Sequence, residues 1–434
     1  MTDVKEIARL MRELEDQLAV CMRCGMCQAV CPIFMETGKE ADVARGKLVL
    51  LDGLLHEMFK DPKGVAERLN RCLLCGSCAA NCPSGVKVLD VFLKARVILT
   101  GFMGLSPAKR LILRGMLSRP DLFDRITQWA GRFQKVFTRP ANEVIGTSCA
   151  RFAAPLLGGR HFRPLAPAAF HQKTPSKDTP AGASGQRAAF FVGCLIDKIF
   201  PNIAEAAMTV LEHCGVGTYL PAGQGCCGIP ALSSGDRKTF LRLVHHNLAL
   251  FEEGKTDVIL TACATCTSTI KKVWPAMVAD QPEELRRRVE KIAEKTTDIS
   301  AFVTRLIDPT KLTAPAGKPP VVVTYHDPCH LKKSLGVFAE PRRLLAETPG
   351  CRLVEMAEAD ACCGMGGSFN LQYYEISSRI GRLKRDQIVA TGASAVATGC
   401  PACMLQISDM LSRRGDSLRV CHPIEIVAEA MGLS

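Results

Sequence analysis

At 434 residues and 47% hydrophobic content, the chain is long enough for two or three domains with cores of ordinary size. No stretch reaches the ~18 to 20 apolar residues of a bilayer-spanning helix, so the net charge of +12 belongs to a chain whose membrane contact is at most peripheral. Twenty-two cysteines exceed what a core needs, and disulfide scaffolds of that density are short and secreted. In a chain this long they read as metal ligands.

The sequence opens "MTDVKEIARLMRELEDQL", a charged amphipathic helix without the apolar core of a signal peptide; this predicts a reducing, cytoplasmic location. Next come two copies of one spacing, "CMRCGMCQAVCP" at 21–32 and "CLLCGSCAANCP" at 72–83. In each, three closely spaced thiolates can turn toward one iron-sulfur cube, which the cysteine before proline cannot easily reach. In two-cluster ferredoxins that last cysteine ligates the other cluster. The expected sets are therefore Cys21, Cys24, Cys27 and Cys82 for one 4Fe-4S centre, and Cys72, Cys75, Cys78 and Cys31 for the other. Pro32 and Pro83 turn the chain away from each centre, and Gly25 and Gly76 let backbone N–H groups approach sulfur. Zinc ribbons would instead show two separated pairs per site. The surrounding sequence, up to and including "VKVLDVFLKARVILTGF", reads as helix throughout.

Residues 94–163 carry thirteen Lys and Arg against Asp121, Asp124 and Glu143, interleaved with Leu, Ile, Trp and Phe at helical spacing. That pattern reads either as a solvated helix face or as a docking surface for an acidic partner or anionic headgroups. No nucleic-acid-binding module accompanies the charge. The Pro, Ala, Gly and Ser-rich stretch from 152 to 187 reads as a linker.

Beyond it, short apolar runs alternate with helical stretches: "AAFFVG", "DVILT", "PVVVTYH" and "ASAVAT". This is an α/β pattern, and it repeats. The first copy holds Cys194, then Cys226 and Cys227 of a CCG triplet, then Cys263 and Cys266; the second holds Cys329, Cys362, Cys363, Cys400 and Cys403, with matching intervals. "LTAPAGKPP" separates the copies. Five thiols per copy suggest a cluster larger or more open than a cube, although a zinc site or a reducible Cys-Cys pair would also suit one copy. Cys149, Cys214, Cys351 and Cys421 have no counterparts and read as incidental thiols. His326 and His330 in "YHDPCHL" read as structural histidines beside a ligand cysteine. "CCGMGGSFN" lacks the Lys and Ser/Thr of a phosphate loop.

Taken together, the paired cysteine runs, "ADVARGKLVLLDGLL" at 41–55, "CPSGVKV" at 82–88 and the two CCG repeats resemble the iron-sulfur subunits of glycolate oxidase and of respiratory D-lactate dehydrogenases. The repeats are also similar to those of heterodisulfide reductase. The resemblance implies two 4Fe-4S clusters and one or two further non-cubane 4Fe-4S clusters at the CCG repeats. It also implies an electron-transfer subunit without hydroxy-acid chemistry of its own. Electrons would come from an FAD-containing 2-hydroxy-acid dehydrogenase subunit and go to quinone or another membrane acceptor, at the cytoplasmic face of the inner membrane. A disulfide reductase acting at a CCG cluster, or the matching subunit of anaerobic glycerol-3-phosphate dehydrogenase, is the alternative. The expected fold is α+β and multidomain: an all-α two-cluster ferredoxin domain at 1–100, a basic helical segment and linker at 101–187, and α/β CCG repeats at 188–310 and 320–434.

Overall fold

The computed structural model describes residues 4–58, 62–152, 158–307 and 320–433. The expected spacer between the repeats lies almost wholly outside these residues. The chain forms two compact units, one of Met1–Ser118, Gly228–Arg242 and Gly364–Ile380, the other of Arg119–Cys227, Leu243–Cys363 and Gly381–Ser434.

The first unit is helical throughout its described residues. The Val88–Met103 helix runs through its centre, with Asp90 in the first turn and Gly104, at φ 77°, after the last. It buries Val91, Phe92, Leu93, Ala95 and Ile98 and packs against the Val4–Ala19 and Pro62–Asn70 helices. The segment after the first CCG triplet belongs to this unit. Its Ile229–Ser233 helix packs on Val88–Met103, and Thr100 Oγ1 donates to Ser234 O at 3.3 Å. Gly235 has φ 85°, and a Cβ there would stand 2.1 Å from Thr100 Oγ1, so only glycine fits.

The second unit holds three sheets. β1 (Thr138–Asn142), β2 (Thr147–Ala150) and β3 (His161–Phe162) form an antiparallel sheet that the helical reading of this stretch did not anticipate. Its strands are two to five residues long and largely polar, so alternation cannot show. The described part of the segment read as a linker is likewise ordered, because β4 (Lys177–Asp178) pairs antiparallel with β6 (Gly217–Leu220). Close packing holds that segment in place, since a Cβ on Gly217 would lie 2.4 Å from Pro180 O.

The two larger sheets are copies of one design. β5 (Arg187–Phe191), β6 (Gly217–Leu220), β7 (Val258–Thr261) and β8 (Thr296–Asp298) lie in the order β6-β5-β7-β8, with β4 on the β6 edge. β9 (Val321–Tyr325), β10 (Cys351–Leu353), β11 (Ala395–Ala397) and β12 (Arg419–Cys421) lie in the order β10-β9-β11-β12. Both read second-first-third-fourth, and all eight strands are parallel within their sheets. Ala188 to Phe191 and Val323 to Tyr325 are fully buried, as expected of parallel strands covered on both faces. In such sheets ligands sit beyond the carboxyl ends of the strands, where the winding reverses.

β8 ends at Asp298, which is buried and caps the Ile299–Val303 helix by accepting from the Ser300 and Ala301 amides. Burial, opposed by these two amides, pushes its carboxyl up to about 7. The folded-state pKa thus stands above the unfolded value, so the contribution to stability is present below ~4 and lost as pH rises through ~7. Urea unfolding of the native chain should lose roughly 2–3 kcal/mol between pH 5 and pH 8 from this group. Asp298→Asn keeps the accepting oxygen and should flatten that part of the profile; an unchanged slope would refute the assignment.

Candidate metal centres

The two cysteine runs fold into matching loops. Arg23 and Gly25 in the first, and Leu74 and Gly76 in the second, all have positive φ, at 58°, 87°, 53° and 76°. Left-handed backbone at a non-glycine residue is strained, and here it recurs at equivalent positions. One consequence is visible in the second loop, where the Leu74 N–H donates to Cys72 Sγ at 3.4 Å. A small cavity of about 30 Å³ is lined by Cys21, Cys24, Cys27, Cys78 and Cys82. The cavity thus brings thiols of both runs together. Likewise, Cys31 lies in the field of Cys72 and Cys75, and Cys78 in that of Cys72, Cys75 and Cys31. Burial pushes the Cys31 thiol up to about 11 and Cys78 higher still. Undissociated thiols in such a place are poor partners for water; iron would convert them to thiolate ligands.

The "ARGK" stretch between the runs ties the loops together. Arg45 Nη1 donates to Arg23 O at 3.1 Å, inside the first loop, and its Nε pairs with Glu40 at 2.6 Å. A Cβ on Gly46 would meet Glu40 O at 1.9 Å, so the helix can approach only there. Lys47 is buried and donates to Asp42 O and to Arg71 O, just before Cys72.

In the second unit every predicted cysteine lies just beyond the carboxyl end of a strand. Cys194 follows β5, the Cys226–Cys227 pair follows β6, and Cys263 and Cys266 follow β7. Cys329, the Cys362–Cys363 pair, and Cys400 with Cys403 follow β9, β10 and β11 in the same way. Cys194 Sγ and Cys226 Sγ are 3.8 Å apart, and Cys363 Sγ and Cys403 Sγ 3.4 Å. Cys227 in turn faces Cys266, which faces Cys263. Neighbouring thiols hold the Cys226 and Cys266 pKa values well up. Hydrogen bonds from Cys362 and Cys403 hold Cys363 well down, and one from Cys263 does the same for Cys400. Gly193 has φ 76°, and a Cβ on it would stand 3.1 Å from Cys266 Sγ.

The triplet glycines have a separate reason. Gly228 and Gly364 have φ 94° and 89°, and a Cβ would stand 2.7 Å from Phe240 Cδ2 and from Ser377 O respectively. Asn247, fully buried, holds the first pair in place: its Oδ1 accepts from the Gly225 N–H at 3.0 Å and its Nδ2 donates to Cys226 O at 3.0 Å. Trp274 Nε1 donates to Cys227 O at 2.9 Å.

Two features escaped the sequence reading. The repeats meet at their sulfur groups, because Cys400 interacts directly with Cys263 and Thr265 Oγ1 lies 3.5 Å from Cys400 Sγ and 3.0 Å from His330 Nδ1. His326 also faces Cys363 and Cys403. Spacing within one copy cannot report a contact between copies. Of the cysteines read as incidental, Cys149, Cys351 and Cys421 lie within β2, β10 and β12, and Cys214 at a helix end.

The 4Fe-4S dicluster domain matches residues 17–86, and the cysteine-rich CCG domain matches 188–271 and 323–408. A probable glycolate oxidase iron-sulfur subunit of Bacillus subtilis is 30% identical over all of this chain and 99% of its own length. The chain belongs to the glycolate oxidase iron-sulfur subunit family. Lactate utilization protein A of an Exiguobacterium species is 31% identical over 56% of this chain and 97% of its own length. One of the subunits of the fumarate reductase (CoM/CoB) of Methanothermobacter marburgensis is 29% identical over 95% of this chain and 72% of its own. The crystal structure of a hypothetical protein from Helicobacter pylori has a TM-score of 0.52 at 12% identity, covering all of this chain and 77% of that one, a likeness of fold alone. This family member is therefore an iron-sulfur oxidoreductase subunit with CCG domains, and partner subunits go with it.

Asn247→Leu would strip partners from the Gly225 N–H and the Cys226 carbonyl. It should destabilise the second unit by about 2–4 kcal/mol, read from urea unfolding of the native chain, with faster hydrogen exchange at Gly225. A change below about 0.5 kcal/mol, on the order of a surface substitution, would contradict the role given to this side chain.

Proposed function

We propose that this chain carries electrons from an FAD-containing 2-hydroxy-acid dehydrogenase subunit, acting on glycolate or D-lactate, toward quinone or another membrane acceptor. The observation that supports the reading is that the two runs share their thiols: Cys82 and Cys78 line the cavity of Cys21, Cys24 and Cys27, and Cys31 lies in the field of Cys72 and Cys75, as an exchange of the fourth cysteine requires. Those two sets would hold two 4Fe-4S clusters, which supply one-electron carriers when bound. The chain's own part is to fix the thiols in strained loops, keep water out, and surround sulfur with N–H groups and cations that set potentials. The ten CCG cysteines would hold one or two further clusters at the strand ends.

Disulfide reduction at a CCG site is the second reading, favoured by two complete five-cysteine sets and by the relative from M. marburgensis. Against it stands access, since Cys226, Cys227, Cys263, Cys266, Cys329, Cys363, Cys400 and Cys403 are all buried. A small-molecule disulfide would have to reach them.

Anaerobically purified chain reconstituted with its flavoprotein should lose iron-sulfur absorbance when glycolate or D-lactate is added. Cys31→Ser should remove the EPR signal of the centre built on Cys72, Cys75 and Cys78, and spare the other. Loss of the other signal would refute the exchange, and colourless, redox-silent protein would overturn the whole reading.

Delivery to a membrane acceptor has separate support. Among the described residues no helix is long and apolar enough to cross a membrane. The Pro120–Phe137 helix, however, exposes Leu122, Ile126, Trp129, Phe133, Val136 and Phe137. At about 100° per residue these fall on one stripe, with Arg125, Arg132 and Lys135 along one side of it. An apolar stripe bearing Trp and Phe beside a basic row suits a helix lying in an anionic lipid interface. The chain should sediment with phosphatidylglycerol vesicles at low salt and not with phosphatidylcholine vesicles. Trp129→Ser with Phe133→Ser should weaken binding at least tenfold. No binding to phosphatidylglycerol, or binding untouched by the double substitution, would sink the assignment.

A further inference from the structure

The second repeat contains a donor that the first lacks. His326 follows β9 directly, where Val192 follows β5. The imidazole is completely buried. Its Nδ1 lies 3.1 Å from Ala359 O, and a carbonyl can only accept, so Nδ1 carries the proton and Nε2 presents a lone pair. That Nε2 has no hydrogen-bond partner of normal geometry among the described residues, and the ring interacts with the Cys363 thiol. A ring nitrogen of His326 lies within 4.8 Å of both Cys363 Sγ and Cys403 Sγ, themselves 3.4 Å apart, and with Nδ1 engaged at Ala359 O the nitrogen left to ligate is Nε2. His422 shows the opposite tautomer, because its Nδ1 accepts from Ile424 N at 3.1 Å; its Nε2 must therefore be a donor and cannot ligate. His330 has Thr265 Oγ1 at 3.0 Å. Of these three buried or half-buried rings near the repeats, His326 is the one that groups with two cysteine sulfurs within reach of one metal ion.

A buried ring nitrogen without a well-formed hydrogen bond is costly in a folded protein. A metal ion removes that cost, and metal-bound imidazoles characteristically donate their other N–H to a carbonyl or carboxylate, as His326 does to Ala359. Lys384 adds to the picture. It is buried, donates to Glu358 O at 2.7 Å and lies in the field of Cys363, Cys329 and Cys362. A cation and a neutral ligand together reduce the negative charge that five thiolates would otherwise concentrate here.

We propose that His326 Nε2, with Cys363 and Cys403, ligates a thiophilic metal centre at the second CCG repeat, so that this centre has mixed nitrogen and sulfur ligands while that of the first repeat is all sulfur. Cys329, Cys362 and Cys400 are at hand for the remaining positions. The donor set suits zinc or the iron of an iron-sulfur cluster. The proposal rests on the reading that the CCG repeats bind metal, and deepens it by separating the two.

The test uses the full-length chain, purified anaerobically, with ¹⁵N-labelled histidine. Iron and zinc are counted, and the second-repeat centre is isolated spectroscopically in a Cys227→Ser, Cys266→Ser background. If the metal is zinc, X-ray absorption should show one nitrogen at ~2.0–2.1 Å; if iron, pulsed EPR of the reduced centre should show a histidine ¹⁵N coupling. His326→Ala should abolish that nitrogen signal and leave the ferredoxin-type EPR signals unchanged. His326→Cys should keep the metal, replace nitrogen by sulfur, and guard against a variant that merely fails to fold. A metallated second repeat with only sulfur ligands, or a nitrogen signal that survives His326→Ala, overturns this proposal while leaving the electron-transfer reading intact. A second repeat without zinc or iron in otherwise loaded protein overturns it too. Absence of iron from the whole chain overturns both.

Discussion

Sulfur has to be kept from water here without being left alone. Eight of the ten CCG cysteines are buried, most of them beside other thiols, while hydrogen bonds between thiols are too weak to organise such groups. The backbone is bent around this requirement. Non-glycine residues adopt left-handed φ in both N-terminal loops, glycines take positive φ at Gly193, Gly228 and Gly364, and the Cys226 and Cys227 carbonyls are taken up by Asn247 and Trp274. Strain is tolerated where the surroundings over-determine the conformation. Two duplicated sheets and a helical unit supply that over-determination.

The sheet topology explains why three separate stretches of sequence converge. In a parallel sheet wound second-first-third-fourth, the loops leaving the first, second and third strands all emerge at the same edge, around the point where winding reverses. Each repeat places one cysteine, a Cys-Cys pair and a C-x2-C on those three loops. The long helical intervals between cysteines, which look wasteful in sequence, are the crossovers that parallel pairing demands. A duplication of this sheet therefore duplicates the site. It does not duplicate the site's chemistry, because the residue directly after β9 is His326 where the one directly after β5 is Val192.

Much of this was legible in the residues. Cysteine spacing is a strong signal because ligand geometry fixes it, and "AAFFVG" or "PVVVTYH" can hardly be anything but buried strands. The α+β organisation and the two repeats follow from such features. What could not be read has physical reasons. β1 to β3 are too short and polar to alternate, and the stretch around Lys177–Pro180 owes its order to packing on β6 and Gly217, not to its own composition. The approach of Cys263 to Cys400 joins residues more than a hundred positions apart. His326 looked structural because a histidine next to a ligand cysteine usually is; its tautomer, set by one carbonyl, is invisible in a string of letters.

The charges around the N-terminal sets are unequal, and the inequality has a direction. Beside Cys21 and Cys27, Arg45 is paired with Glu40 near the surface, so its field is screened by water and cancelled by its partner. Beside Cys31 and Cys72 stand Lys47 and Arg96, both buried. Lys47 donates only to carbonyls, and Arg96 holds Leu69 O at 2.7 Å, Ser233 O at 2.9 Å and Cys72 O at 3.2 Å. Among the described residues neither has a carboxylate partner, and the guanidinium interacts with Cys72 in a medium of low dielectric, where Coulomb interactions are several times larger than in water. A buried cation without a carboxylate is unfavourable unless some other negative charge stands nearby. On the proposed ligation that charge is the thiolate and sulfide of the second set. An electron added there is stabilised by two cations, whereas one added at the first set meets a neutralised pair at the surface. On that ligation the first set, with Cys24 exposed, would be the place for electrons to enter, and the half-buried second set the place toward which they would fall.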